Sequence, residues 1–468
     1  MRMLAGGRFG NVGFGAFSRL FSLGSQFVVL ILLGKLLAKS DFGDFMIVFA
    51  LTRVLSTGLG TGLATLLVYH IARHATLDRE ISLHRTVVCM GMLLTAAIAI
   101  AMAVFATAIA GWFGKPTLAS WITWMAPFMV FSTLLTISAG ALDGRGLITR
   151  SIFAVEFVPN LIRLIVLPPL LLLQSDHFAI AAVMVVSVAL PWLGIASKLL
   201  SRPTAGFAPL TAWDMQYIGK LTLHSFGAMQ MQGIDMLVVG WLFTSDAAAD
   251  YAIASRVAAL IPFFQTIVVK TFMTQAGSAI HRDDHEALQF EIDRSRAIST
   301  ILVTLTAVAA LGAYPAFLLF MGKFNGSLPL LAALAVSSIV RSYYAGADAL
   351  LRIAGLVNAS LAIMMGSLAC LIFVPFLFGH WIGVYSLPLG MFVAATTLNP
   401  VSSRYVLQRL HVRMAPPLSW VSISVAIIGL AISISSGQNL LLWFAGVGIL
   451  AASLIPTLLQ YRALRQTA

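Results

Sequence analysis

Six basic side chains fall inside apolar stretches of the sequence: Arg19, Arg53, Arg163, Arg256, Lys270 and Arg341. An arginine at the centre of a membrane helix costs about 2.5–3.5 kcal/mol on insertion scales. Each must therefore snorkel to an interface, pair with an acid, or face a hydrated cavity. Lys270 lies near one end of its stretch and reads as a snorkelling lysine. Arg19 fits an interface or a cavity equally well. Arg53, Arg163, Arg256 and Arg341 lie deeper and read as cavity residues, with a structural ion pair as the alternative. A guanidinium presents a planar fork of donors that matches phosphate oxygens and stays charged at any relevant pH. Such a set suits an anionic ligand better than a cationic one. The cavity-candidate acids are only Glu156, Asp235 and Asp348.

Two polar stripes accompany the arginines. Glu156, Asn160 and Arg163 are spaced i, i+4, i+7 and share a helix face. They read as a cavity wall in which Glu156 tunes Arg163, or as an interhelical polar contact. Pro159, Pro168 and Pro169 in the same helix mark it as kinked. His224, Gln232 and Asp235 form the second stripe. A desolvated carboxylate gains proton affinity, so Asp235, Glu156 and His224 are the candidates to carry a coupling proton or sodium ion. A hydrogen-bonded packing role is the alternative for Asp235. Asp348 and Arg352 read as a surface pair, and Tyr343 and Tyr344 as sugar-facing or packing residues. His70 with His74 lacks a third ligand, and His281 with His285 sits beside Asp283, Asp284 and Glu286 in a run that reads as a linker rather than a metal site, so no metal site is expected. The charged run at 281–286 reads as a solvated, partly helical linker between lobes. No nucleophile or nucleotide-binding motif is present, and no cofactor is expected beyond a coupling H+ or Na+.

The elements that must position these residues follow from composition. Of 468 residues, 59% are apolar and only 10% charged, against roughly 25% charged in soluble domains. The mean hydropathy is +0.94. A membrane helix needs about 20 mainly apolar residues, and the chain has room for about fourteen. These fall near 14–37, 44–71, 86–112, 118–141, 151–174, 178–200, 217–243, 250–278, 297–321, 327–351, 357–379, 384–406, 418–435 and 440–460. The expected fold is an all-α polytopic membrane protein. Large extramembrane domains, and most soluble enzyme classes with them, are excluded. The net charge of +12 does not point to nucleic acid, because the basic residues sit between apolar segments. Nineteen of the 29 basic residues lie in loops on the side of the N terminus and four on the other. The positive-inside rule then puts both termini in the cytoplasm. No cleavable signal is expected at the basic start Met1–Arg8. Cys89 and Cys370 lie in apolar stretches and read as unpaired thiols.

Gly34 through Asp44-Phe45 resembles Gly240 through Asp250-Tyr251, and Arg53 and Arg256 follow in the next helix of each. The offset covers six helices, so both copies enter the membrane in the same sense. Repeats of this kind build transporters around a central cavity. The expected domains are a six-helix lobe at 1–203, a second at 204–410, and two additional helices at 411–468.

On these stretches the sequence resembles the polysaccharide transporters, O-antigen and exopolysaccharide flippases, of the multidrug/oligosaccharidyl-lipid/polysaccharide exporter superfamily. The residues that carry the resemblance are Leu33-Gly34-Lys35-Leu36-Leu37 through Phe42-Gly43-Asp44-Phe45, and Gly58-Leu59-Gly60-Thr61-Gly62. In the second lobe they are Ile234 to Gly240 and Asp250-Tyr251-Ala252-Ile253-Ala254. The resemblance covers roughly residues 10–410. It implies two six-helix bundles in a V, alternating between inward- and outward-open states. The implied substrate is an undecaprenyl diphosphate-linked oligosaccharide, moved across the bacterial inner membrane for O-antigen or exopolysaccharide export. Implied partners are membrane lipids, the glycan polymerase and the export machinery, with no nucleic acid. A lipid II flippase or a drug or small-cation antiporter would use the same scaffold. A membrane-embedded glycan polymerase is disfavoured, because no outward loop exceeds about eight residues.

Overall fold

A computed structural model describes residues 18, 21–22, 24–73, 77–173, 176–200, 206–228, 233–414, 418–435 and 439–467. The described chain is helical, without strands. Arg19 and Gln232 fall outside the described residues, as does the side chain of Lys270.

The chain forms two compact units, Met1–Trp241 and Leu242–Ala468. Unit 1 holds α1 (Gly24–Leu36), α2 (Lys39–Arg73), α3 (Leu77–Val104), α4 (Ala106–Trp112), α5 (Leu118–Gly144) and α6 (Ile148–Ile152). A π-helical turn at Phe153–Phe157 then leads into α7 (Val158–Leu172), α8 (His177–Leu200), α9 (Ala212–Ala228) and α10 (Asp235–Leu242), whose last residue opens unit 2. Unit 2 holds α11 (Ser245–Ala258), α12 (Phe263–His281), α13 (His285–Phe320), α14 (Ser327–Ser342) and α15 (Ala347–Ile353). It continues with α16 (Val357–Ile382), α17 (Ser386–Leu410), α18 (Leu418–Ser435), α19 (Leu440–Ala452) and α20 (Leu454–Thr467).

Among the described residues, each expected span falls on one helix or on consecutive helical elements, eight stretches are long and apolar enough to cross a membrane, and two bent pairs bring this to ten. One stretch, Asn358–Leu410, is α16 and α17 together. They meet at Gly383, whose φ of 59° suits a residue without Cβ. The first and thirteenth expected spans have shorter apolar helices, Gly24–Leu36 and Val421–Ser435. The charged run at 281–286 is not a linker between units. It joins α12 to α13 inside unit 2, where Asp284 caps α13 by accepting from the Ala287 N–H at 2.9 Å.

Lipid is as apolar as leucine, so helices in a membrane associate through close packing rather than through exclusion of water. The core of unit 1 follows that rule. Leu66, Leu67, Leu134 and Ile137 are fully buried where α2 meets α5. A Cβ on Gly140 would lie 2.7 Å from that of Ala64. α9 and α10 run along α2 in the opposite sense. Gly62 meets Thr222, Gly58 meets the Phe226 ring, Gly233 meets Val54 and Gly240 meets Ile47, and none of the four has room for a methyl. The glycine run at 58–62 is therefore a close-packing surface: Gly58 and Gly62 face α9, and Gly60 faces Thr136 of α5. Unit 2 packs α12, α13, α15 and α17 around Phe272, Ile292, Leu350 and Val406. The Trp443 indole of α19 donates to the Leu311 carbonyl at 3.1 Å.

The repeated aspartates hold equivalent places. Asp44 on α2 accepts from the Thr117 hydroxyl, the N-cap residue of α5. Asp250 on α11 packs its carboxylate on Gly326, the N-cap residue of α14. Each sets a negative charge where a helix N terminus favours one.

Candidate functional site

The arginine at the heart of unit 1 is positioned by an irregular helix. Pro159 has no N–H to give, and the backbone ahead of it opens into the π turn at Phe153–Phe157. The Asn160 amide turns back and donates to the Glu156 carbonyl at 2.6 Å. It also donates to Ser22 Oγ at 3.0 Å, which accepts from Gln26 of α1 at the same distance. Asn160 Oδ1 in turn lies 3.4 Å from an amino nitrogen of Arg163.

Arg163 is only 8% exposed. Its Nε donates to Ser187 Oγ of α8 at 2.9 Å, and its guanidinium lies 5.9 Å from the centre of the Phe128 ring of α5. Among the described residues no carboxylate lies within ion-pair distance of it. The neighbouring charge it feels is of its own sign, Arg53 on α2. Phe128 also packs against Phe49 of α2 at 5.5 Å. Two guanidinium groups thus share one apolar, aromatic-walled region. A buried charge without an opposite charge is costly, and an anion placed beside Arg163 would offset it.

Glu156 is half-buried on the π turn, and its side chain has a partner of its own. Asp235, 4% exposed, opens α10, and His224 is half-buried on α9. Arg256 and Arg341 belong to unit 2. Arg256 is half-buried in the last turn of α11, ahead of a 41° bend into α12. Arg341 is exposed in the last turn of α14, ahead of a 44° bend into α15. Cations at helix C termini are favoured by the exposed carbonyls there, which gives both a structural reason to stand where they do. Asp348 and Arg352 form the surface pair expected of them, at 3.0 Å. Tyr343 and Tyr344 are buried.

At the far end of α2, His70 Nε2 lies 2.7 Å from Asp214 Oδ1 at the start of α9. Burial alone would raise the Asp214 carboxyl. The Thr211 N–H and hydroxyl and the His70 ring outweigh it and hold the group below the usual carboxylate range. Among the described residues no cluster of three histidine, cysteine or acidic side chains could hold a metal ion.

Residues 32–329 match the family described as polysaccharide biosynthesis protein. The chain belongs to that family. Solved structures share its fold. This chain superposes on an inward-facing multidrug resistance MATE family transporter of the MOP superfamily with a TM-score of 0.72 at 15% identity. That match covers 84% of this chain and 94% of the other. The lipid II flippase MurJ, in an inward closed conformation, gives 0.70 at 14% identity over 96% and 99%. A MOP superfamily transporter from Pyrococcus furiosus, described for the reverse polarity of its binding pocket, gives 0.53 at 16% over 86% and 96%. No curated protein matches the chain. At these identities the likeness establishes the fold of the polysaccharide biosynthesis protein as that of MOP superfamily transporters.

The sequence pattern does not reveal Ser22, Phe128 and Ser187, which complete the surroundings of Arg163. They come from other helices and carry no charge, so only the packing joins them. Arg296, counted among the loop arginines, lies within α13 and is 2% exposed. The signal was local: Asp293, three residues earlier, pairs with it at 2.8 Å.

Proposed function

We propose that this protein is a flippase that moves an undecaprenyl diphosphate-linked oligosaccharide from the inner to the outer leaflet of the bacterial inner membrane by alternating access. On this reading it is a transporter and not an enzyme, with both termini in the cytoplasm. It works beside the glycan polymerase and export machinery of an O-antigen or exopolysaccharide pathway. The observation that supports it most is Arg163: a buried guanidinium with hydroxyl, amide and ring neighbours, the repelling charge of Arg53, and no carboxylate in contact among the described residues. A cationic drug would meet repulsion there, whereas a diphosphate would be stabilised. Family membership supports the glycan side of the substrate. Asp235, with Glu156 and His224, is the proposed carrier of a coupling proton or sodium ion.

The test is translocation of a lipid diphosphate-linked oligosaccharide in proteoliposomes. Wild type is compared with Arg163→Gln, Arg53→Ala and Arg256→Ala at matched insertion. The expected result is flipping by wild type and at least a tenfold loss in the Arg163 and Arg53 variants. Flipping that survives both changes moves the diphosphate site elsewhere. If wild type does not flip a substrate matched to its host but expels cations, the antiporter reading replaces this one.

A further inference from the structure

A buried guanidinium that only holds a fold together ordinarily meets a carboxylate, because a charge left alone away from water is costly. Arg163 meets two neutral acceptors instead. Ser187 Oγ accepts from its Nε at 2.9 Å and donates its own proton to the Met184 carbonyl at 2.6 Å. Asn160 Oδ1 lies 3.4 Å from an amino nitrogen of Arg163. The other end of that amide, Nδ2, donates to the Glu156 carbonyl at 2.6 Å and to Ser22 Oγ at 3.0 Å. Those two acceptors fix which way the amide points. Flipped, it would set an oxygen against the Glu156 carbonyl and an NH2 against the guanidinium. Asn160 is 3% exposed and Ser187 fully buried, so both positions are closed to solvent. Each side chain turns a lone pair to Arg163 and its hydrogens away. These bonds orient the guanidinium without cancelling its charge. Among the described residues they engage two of the five N–H groups that an arginine carries, which leaves donors for a ligand.

Asparagine and aspartate have nearly the same shape, so the choice between them at position 160 is a choice of charge. A carboxylate there would form an ion pair with Arg163 and leave little for an anion to offset. It would also repel an incoming phosphate, since a like charge at a binding site selects against the wrong ligand. We propose that Asn160 sets the sign of the ligand: its amide positions Arg163 and, by being neutral, keeps the guanidinium charge available for a diphosphate. This rests on the reading of Arg163 as the diphosphate contact, and it makes Asn160 a positioning residue that acts through the arginine. The same amide reaches Ser22, which accepts from Gln26 of α1 at 3.0 Å. The orientation of the guanidinium is thereby tied to the start of the chain on one side and to α8 on the other.

The test uses the full-length protein in phosphatidylcholine nanodiscs and two probes of one chain length and opposite charge, farnesyl diphosphate and farnesylamine. Binding is read by intrinsic tryptophan fluorescence, with the melting temperature measured in parallel. Wild type is expected to bind the diphosphate and to show no saturable binding of the amine. Asn160→Ala removes the amide and leaves the charge, so it should weaken diphosphate binding by about threefold or less. Asn160→Asp should weaken it by about thirtyfold or more, at a melting temperature no lower than that of Asn160→Ala. Ser187→Asp brings a carboxylate to the same guanidinium from α8 and should reproduce the loss, whereas Ser187→Ala should not. Equal losses in the alanine and aspartate variants would make Asn160 a packing residue and overturn the inference, with wild-type diphosphate binding left in place. Undiminished binding in both aspartate variants would overturn it in the same way. A wild type that binds no diphosphate would overturn the reading of Arg163 itself, and this inference with it.

Discussion

Arg163 stands among a serine, an asparagine and a phenyl ring, and the Arg53 charge on α2 repels it. Such a residue weakens the fold it occupies. Burying a charge without an opposite charge is costly, and replacing even a buried ion pair by apolar side chains of similar volume is often neutral or stabilising, by about 1–4 kcal/mol. Arg163→Met is therefore expected to raise the melting temperature in detergent while abolishing translocation. A lower melting temperature would mean that Arg163 serves the fold and not a ligand. His70 and Asp214 behave in the opposite way. A carboxyl held below its unfolded value contributes stability in full above the unfolded pKa of about 3.9, and that stability is lost as pH falls through the folded value. Asp214→Asn should melt lower than wild type near neutral pH, and the gap should close as pH drops below about 4. Melts of both proteins across pH 3–7 check this. At this scale the sequence makes the charges visible, because an arginine in an apolar run stands out. Their neutral partners are hidden: Ser187 lies on the next helix, and nothing in its surroundings distinguishes it from other membrane serines.

The helices are legible as apolar stretches, and their breaks are not. The bends after α11 and α14 interrupt runs that read as continuous, and the π turn before Pro159 adds a residue that an i, i+4, i+7 count does not foresee. Asn160 and Arg163, beyond the turn, meet as their spacing suggests. The glycines do more than bend. Gly140→Val would drive a side chain into Ala64, where the nearest atoms include backbone. Overpacking of this kind costs about 1–3 kcal/mol, so a clear fall in melting temperature is expected. Gly219, with open space around its Cβ position, is the control: Gly219→Ala should be neutral or stabilising by about 0.5–1 kcal/mol, since alanine suits a helix better. Equal effects of the two changes would contradict the packing described for α2 and α5.

For the whole molecule, a faint repeat in sequence corresponds to a physical one. Asp44 and Asp250 each meet the N-cap of a later helix in their own unit. Spacing alone makes that pairing of positions visible, but not what each aspartate touches. The uneven distribution of basic residues carries a further expectation, with Arg282 on the cytoplasmic side and Asp246 on the other. In a variant lacking Cys89 and Cys370, a membrane-impermeant maleimide applied to spheroplasts should label Asp246→Cys and leave Arg282→Cys unlabelled until the membrane is opened. The reverse pattern would invert the topology.

The long antiparallel seat of α9 and α10 on α2 also bears on how the protein is made. α2 ends at Arg73, and its partner is complete only at Leu242, roughly 170 residues later. At about 5–20 residues per second, a ribosome needs roughly 10–35 s to supply it. Through that interval the face of α2 carrying Gly58 and Gly62 lies against lipid or the insertion machinery, in a chain already committed to the membrane. A nascent chain stalled before Thr222 should therefore leave that face open to a photocrosslinker at position 58 or 62. One stalled well beyond Ala228 should close the face, which would time its burial to the emergence of α9.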